Sequence, residues 1–223
     1  MIRLRLLAIL EAYSITGPAK NLLEFARLAR AADVETTIAT FTRGAPSNVF
    51  IDTARAAGVP VEVIPESGLY DRSVIRNLAQ MAARLRPDII QTHAVKSHFL
   101  GRCAALPSQA PWVAFHHGYT WPALRARLYN QLDRWSLRTA RKVLTVSRPF
   151  RDELTARGVS PDRIEIIHNA IPPDWGRRDP DRSAALRASM GLEADRNVIL
   201  IVGRLSREKD HLTLLEAVAR LPS

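Results

Sequence analysis

An α/β fold with a doubly wound parallel sheet is what this sequence predicts, on three observations. Short aliphatic runs alternate along the chain with longer segments whose apolar residues recur three and four apart, the period of a helix packed on one face. Most of the short runs are apolar almost throughout, as parallel strands covered by helices on both faces must be. Repeated strand, helix, strand units with right-handed crossovers then give one parallel sheet.

Taken in order, the first strand is expected over 3–10. Its apolar run, 6–10, is too short for a signal peptide, and Glu11 closes it. Helix 19–30 leads to strand 35–41, helix 47–57 to strand 61–64, and helix 73–85 to strand 88–92. Helix 97–105 precedes strand 112–115, helix 121–139 precedes strand 142–146, and helix 148–157 precedes strand 164–167. Gly58 and Gly158 follow helices because glycine tolerates the left-handed residue that ends them, and Pro87 blocks continuation of another. The texture then changes: HNAIPPDWGRRDPDRSAALRASMGLEADRN is rich in Pro, Asp and Arg and holds at most one short helix. After it, NVILIVGRL predicts a buried strand ending at Gly203, followed by a helix over 209–221. Two such elements cannot bury a core by themselves. The expected organisation is a domain over 1–175, a linker over 176–195 and the start of a second α/β domain over 196–223.

Composition narrows the function classes. At 47% apolar and 24% charged residues, without repeats or low-complexity tracts, the 223-residue chain has the make-up of a globular protein. Its net charge of +10 favours an anionic partner: a phosphorylated small molecule, a membrane surface or nucleic acid. Nucleic acid fits worst, because the basic residues are dispersed and no recognition motif is present. Cys103 is the only cysteine, so no intramolecular disulfide can form and a reducing, cytoplasmic setting is expected. Cys103 itself reads as packing. No run approaches the roughly 20 apolar residues of a membrane-spanning helix.

In open α/β sheets ligands bind beyond the carboxyl ends of the strands, so the loops there carry the candidates. In SITGPAKN, Gly17 lets backbone amides approach an anion at a helix N-terminus. The G-x-G-x-x-G fingerprint of a dinucleotide site is absent, which argues against an NAD enzyme. In PDIIQTHAVKSHFLGR, His93 ends a strand, with Lys96 and His98 able to face a polar ligand. In WVAFHHGYT, His116 and His117 follow a strand and Gly118 allows a sharp exit. These histidines do not follow zinc spacing, so no metal is expected. In GRLSREKD, Arg204 offers a planar fork and Lys209 a point charge around one turn, a pairing suited to a diphosphate. The plainer alternatives are a strand-to-helix turn at Gly17, hydrogen-bonded structural histidines, and two solvated surface cations.

Together, the glycine loop, PDIIQTH with its small-residue helix, FHHG, RKVLTVS, IIHNAIP and VGRLSREKDHLTLLEAVA give a pattern that resembles the retaining glycosyltransferases of family 4. Those enzymes have the GT-B fold of two facing Rossmann-like domains. The match runs along the whole chain, and its last motif, the most specific, is similar to the first strand, loop and helix of the donor-binding domain. The resemblance implies transfer of a sugar, with retention, from a nucleotide diphosphate sugar of UDP or GDP type. The acceptor would be a saccharide or lipid-linked saccharide in cell-surface polysaccharide or glycolipid synthesis. It implies no cofactor and no metal.

Carried over to matching positions, Gly17 lies against donor phosphates, and Arg204 and Lys209 hold the diphosphate. His117 lines the reacting centre. From their places after the strands, Thr16, His93 and His116 are expected to line the acceptor site or the crevice. Three departures stand out. Thr16 and Pro18 flank Gly17 where the family has a second glycine and a small residue, and Asp210 stands where glycine commonly follows the lysine. The family's paired-glutamate signature falls beyond residue 223, so truncation, weak donor binding and loss of activity in this chain are expected. The competing expectations are a non-catalytic saccharide- or nucleotide-sugar-binding module and a nucleotide-sugar isomerase of another GT-B type.

The segment WPALRARLYNQLDRWSLRTARK places Trp121, Leu124, Leu128, Leu132 and Trp135 at helical spacing, with Arg125, Arg127, Arg134 and Arg138 mostly elsewhere. It is either a helix packed on the sheet with its arginines in water, or a peripheral contact with anionic lipid at the inner face of the cell membrane.

Overall fold

The computed structural model describes residues 3–68, 71–118, 124–171, 176–193, 196–203, 205–206 and 209–221, apart from the side chains of 124–129. The chain divides into two units, 1–170 and 171–223.

In the first unit the strands are β1 (Leu4–Leu10), β2 (Val34–Thr42), β3 (Val61–Pro65), β4 (Ile89–His93), β5 (Trp112–His116), β6 (Lys142–Thr145) and β7 (Ile164–Ile166). Each of the seven strands expected before residue 170 is present to within one residue at either end. All pairings are parallel, in the order β3-β2-β1-β4-β5-β6-β7. The helices are α1 (Gly17–Ala29), α2 (Val49–Ala56), α3 (Ser73–Leu85), α4 (Ala94–Cys103), α5 (Leu124–Leu137) and α6 (Arg148–Ala156).

Because successive strand residues point to opposite faces, β1 feeds two cores. Leu7 and Ile9 pack with Phe41, Ile90, Leu78 of α3 and Leu154 of α6. Ala8 and Leu10 pack on the other face with Leu22 of α1 and Phe50 of α2. Large buried side chains such as Leu78 and Phe50, both 0% exposed, make each layer costly to open, at roughly 2–5 kcal/mol per truncation to alanine. Asn48 caps α2 by accepting from the Ile51 amide at 3.0 Å, and Ser147 caps α6.

Two expectations need correction. Helix α4 starts at Ala94, directly after His93, and not at 97; the join is made by Ala94 in a left-handed conformation, φ 65°. HAV contains no Gly, Pro or Asn to announce such a turn, and the strain costs about 1–2 kcal/mol. Second, residues 197–203 form no strand, and their apolar side chains are exposed, with Leu200 at 79% and Val202 at 84%. A buried parallel strand exists only when neighbours complete its hydrogen bonds and cover its faces, and the described residues supply none.

The second unit contains α7 (Pro180–Ser189), capped by Asp179 accepting from the Arg182 amide at 2.9 Å, and α8 (His211–Val218). None of its described residues is buried. A segment with so few buried contacts opens at little free-energy cost. Limited proteolysis followed by mass spectrometry should therefore cut first beyond residue 170 and leave a resistant core holding the seven-stranded sheet. Protection of 171–221 equal to that of the sheet would contradict this.

Candidate active site

The sheet changes winding direction between β1 and β4, where Leu10 pairs with His93 at the carboxyl edge. From β1 the chain runs to Thr16, the extended N-cap residue of α1, whose side chain makes no capping bond. The first-turn amides of α1 are thus not taken by a side-chain cap. A Cβ on Gly17 would meet nothing within 4 Å, so this turn is open to a close approach.

Across the switch point, His93 Nδ1 lies 3.2 Å from His117 Nε2. Phe115 and His117, two residues apart and so on one face, stack with ring centroids 4.5 Å apart, and His93 stacks on both. One histidine must donate and the other accept, so the contact needs a neutral ring. Burial supplies that state. It pushes His93 well below the ordinary imidazole range and His117 down to about 4, with nearby histidine charge acting in the same direction. His93 and His116 are buried, whereas His117 is half-buried. Gly118, with φ 94°, turns the chain away; a Cβ there would run into the Phe150 ring.

His116 points to the opposite face, towards a residue that the sequence reading passed over. Asp133 of α5 is 0% exposed, with Oδ1 2.6 Å from His98 Nδ1 and Oδ2 3.4 Å from His116 Nδ1. His98 Nε2 also faces the Thr92 carbonyl at 3.2 Å. Both His98 nitrogens therefore face oxygen atoms, which fixes the ring between α5 and the end of β4. Burial alone would raise Asp133, but His98 and then His116 outweigh it and hold it below the usual carboxylate range. His98 is thus a buried anchor and not a ligand-facing residue, which corrects the expectation for it. The available signal was that Asp133 is the only acidic residue in the expected helix 121–139.

The same helix departs from its expected face. Its buried side carries Asp133, Ser136 and Leu137, while Trp135 is 44% exposed with the Arg102 guanidinium 3.5 Å over its ring. Trp121 and the side chains of Leu124, Arg125, Arg127 and Leu128 lie outside the described residues. Lys96 is engaged by Glu11 and Glu66 at 2.6 and 2.7 Å.

In the second unit, Arg204 lies outside the described residues, and Lys209 is exposed just before α8. Asp210 has φ 48°, the conformation for which glycine is suited, and accepts from the Thr213 amide and hydroxyl at 3.4 and 2.8 Å. Asp tolerates this backbone and caps the helix, which explains how it can stand in glycine's place. Among the described residues no three His, Cys, Asp or Glu side chains are grouped to hold a metal ion. Two open hollows lie among the described residues, one of about 450 Å³ beside Trp112 and Arg141 at the start of β5, and one of about 420 Å³ between β3 and α3 beside Glu62 and Met81.

A seven-stranded parallel sheet with histidines gathered at its switch point defines a Rossmann-like domain of the GT-B glycosyltransferase type. Residues 15–175 match the model of Glycosyltransferase Family 4, and the chain belongs to that family. It is 27% identical over 143 residues to alpha-maltose-1-phosphate synthase of Mycolicibacterium smegmatis, covering 59% of this chain and 37% of that protein. It is 25% identical over 172 residues to the UDP-Gal:alpha-D-GlcNAc-diphosphoundecaprenol alpha-1,3-galactosyltransferase of Escherichia coli, covering 74% and 44%. The crystal structure of Anabaena HepE in complex with UDP superposes with a TM-score of 0.80 at 19% identity, over 98% of this chain and 58% of that one. The chain thus spans less than half the length of these two curated relatives.

Two outcomes follow from the buried charges. Asp133→Ala should cost about 3–5 kcal/mol in urea unfolding, since it strands two buried histidines, and Asp133→Asn should cost less. A loss below about 1 kcal/mol would remove Asp133 as their anchor. Below pH 6.5 the unfolded chain protonates His117, while the folded protein resists until about pH 4. Stability should therefore fall as pH drops through that window, with His117 contributing about 3 kcal/mol of the loss. His117→Gln should flatten the curve by that share, as read from urea midpoints at each pH.

Proposed function

We propose that this chain is the acceptor-side part of a retaining glycosyltransferase. It would move a sugar from a nucleotide diphosphate sugar to a saccharide or lipid-linked acceptor in cell-surface polysaccharide or glycolipid synthesis. The observation that carries the proposal is the neutral His93–His117 pair at the β1/β4 switch point of a family 4 chain, beside the open first turn of α1. UDP in the HepE complex favours a UDP-type donor, with GDP the alternative.

In this reading His117, half-buried and uncharged at neutral pH, lines the reacting centre and hydrogen-bonds the transferred sugar. Thr16, His93 and His116 shape the acceptor side, His93 and His116 from behind. Gly17 admits the donor phosphates to the amides of α1. Residues 1–175 form the acceptor domain, 176–195 the linker and 196–223 the first elements of the donor domain. There Arg204 and Lys209 neutralise the leaving diphosphate as the glycosidic bond breaks, an electrostatic stabilisation of the transition state. Exposed Trp135 of α5, with Arg102 of α4 over its ring, and the net charge of +10 support a peripheral contact with anionic lipid at the inner membrane face of a cytoplasmic protein. No described helix is long and apolar enough to cross a membrane.

Calorimetry with UDP and UDP-sugars tests the donor half of the proposal. Lys209→Ala should weaken binding at least about tenfold, a loss of about 1.4 kcal/mol, and unchanged affinity would take Lys209 out of the donor site. Incubation with a UDP-sugar and a saccharide acceptor should give a product whose anomeric configuration, read by NMR, matches the donor's. Saccharide binding with no transfer in any form of the protein would favour a non-catalytic accessory module.

A further inference from the structure

Just beyond the carboxyl ends of β3, β2 and β1 stand Glu66, Arg43 and Glu11, and beyond β4 the early part of α4 brings in Lys96. Lys96 Nζ donates to Glu11 Oε1 at 2.6 Å and to Glu66 Oε2 at 2.7 Å, and Arg43 Nη2 donates to Glu66 Oε1 at 2.9 Å. The Tyr13 hydroxyl lies 3.4 Å from both Glu11 Oε1 and Glu66 Oε1. The loop bearing Glu11 and Tyr13 is held in place, because Asn48 donates to the Ala12 carbonyl at 3.2 Å while capping α2.

The cluster balances two cations against two carboxylates. Burial works against the charge on Lys96, but its bonds to Glu11 and Glu66 outweigh that and keep it charged. Glu66, with a side chain 2% exposed, occupies both cations. Beside the partly exposed Arg43 guanidinium, a carboxylate and an aromatic ring remain accessible. The Glu11 side chain is 32% exposed, with no bond to its Oε2 from the described residues, and Tyr13 is 47% exposed. A carboxylate edge accepts hydrogen bonds, and an aromatic face takes apolar C–H surface. A sugar ring offers both hydroxyl donors and a C–H face. A phosphate would meet the Glu11 carboxylate, while Lys96 and Arg43 Nη2 are already held by Glu66, so much of the charge that could attract it is balanced.

We propose that Glu11 and Tyr13, braced by Lys96, Arg43 and Glu66, form a subsite selective for an uncharged, hydroxyl-bearing sugar ring over a phosphorylated one. Its role as the acceptor subsite rests on the glycosyltransferase proposal; its binding preference does not.

The test titrates the 223-residue chain with methyl hexopyranosides of glucose, galactose and mannose and with the matching hexose 6-phosphates, read by ligand-observed NMR. At least one methyl hexoside should bind, at least about tenfold more tightly than its 6-phosphate. Tyr13→Ala should lose that affinity by a similar factor, Tyr13→Phe should retain most of it, and Glu11→Gln should narrow the gap between neutral and phosphorylated rings. Thermal melts establish that each variant is folded. The proposal is overturned if a 6-phosphate binds as tightly as its hexoside, if Tyr13→Ala changes nothing, or if no hexoside binds. UDP binding in the same samples separates the two proposals. Hexoside binding without UDP binding fails the donor assignment alone, and UDP binding without hexoside binding fails this one alone.

Discussion

The central position of β1 governs the rest of the molecule. It is hydrogen-bonded in parallel to β2 on one edge and to β4 on the other, and from Leu6 to Leu10 every residue is buried. Parallel neighbours need crossover helices, and the right-handed crossover places those of β1–β2–β3 on one face and those of β4 onward on the other. The two cores are the consequence, with Leu7 and Ile9 filling one and Ala8 and Leu10 the other. So is the crevice, because the helices diverge where the winding reverses and leave the carboxyl ends of β1 and β4 uncovered. Glu11, Gly17, His93 and Lys96 all leave the sheet from that one place.

At that edge, proximity to the sheet sets the charge state of each polar side chain, and the two polar assemblies there are tuned in opposite ways. His93 and His117 lose their affinity for a proton because burial penalises the charged ring. Lys96 is also partly buried yet stays charged, because two carboxylates reach its ammonium within 2.7 Å. Asp133 follows the second rule inside the protein, holding His98 and His116 on one carboxylate behind the half-exposed His117. The outcome is a surface with a neutral imidazole on one side of the switch point and a charge-balanced, acceptor-rich patch on the other. That combination is suited to gripping hydroxyl groups.

Most strands were legible because a buried parallel strand is largely aliphatic, and runs such as LLAIL between polar helices have few other uses. The same rule misled over 197–203: VILIVG carries the composition of a buried strand, but composition encodes a propensity for burial, while pairing requires a neighbour. The start of α4 was hidden because its left-handed residue is an alanine, and strain at a non-glycine position leaves no compositional trace. At the site, strand-end histidines and the glycine turn could be located from their positions after strands. Glu66 could not, since an acidic residue after a proline looks like solvated surface, and Asp133 offered only the faint signal of a lone acid in a basic helix.

The sequence by itself determined the order of elements, the parallel sheet, its carboxyl-edge loops and the family, because these follow from hydrophobic period, turn chemistry and local motifs. Only the tertiary structure decided which polar side chains would be buried together. His98 meets Asp133 across 35 positions, His93 meets His117 across 24 and Glu11 meets Lys96 across 85. Such contacts depend on strand order and crossover path, and no local pattern of residues encodes them.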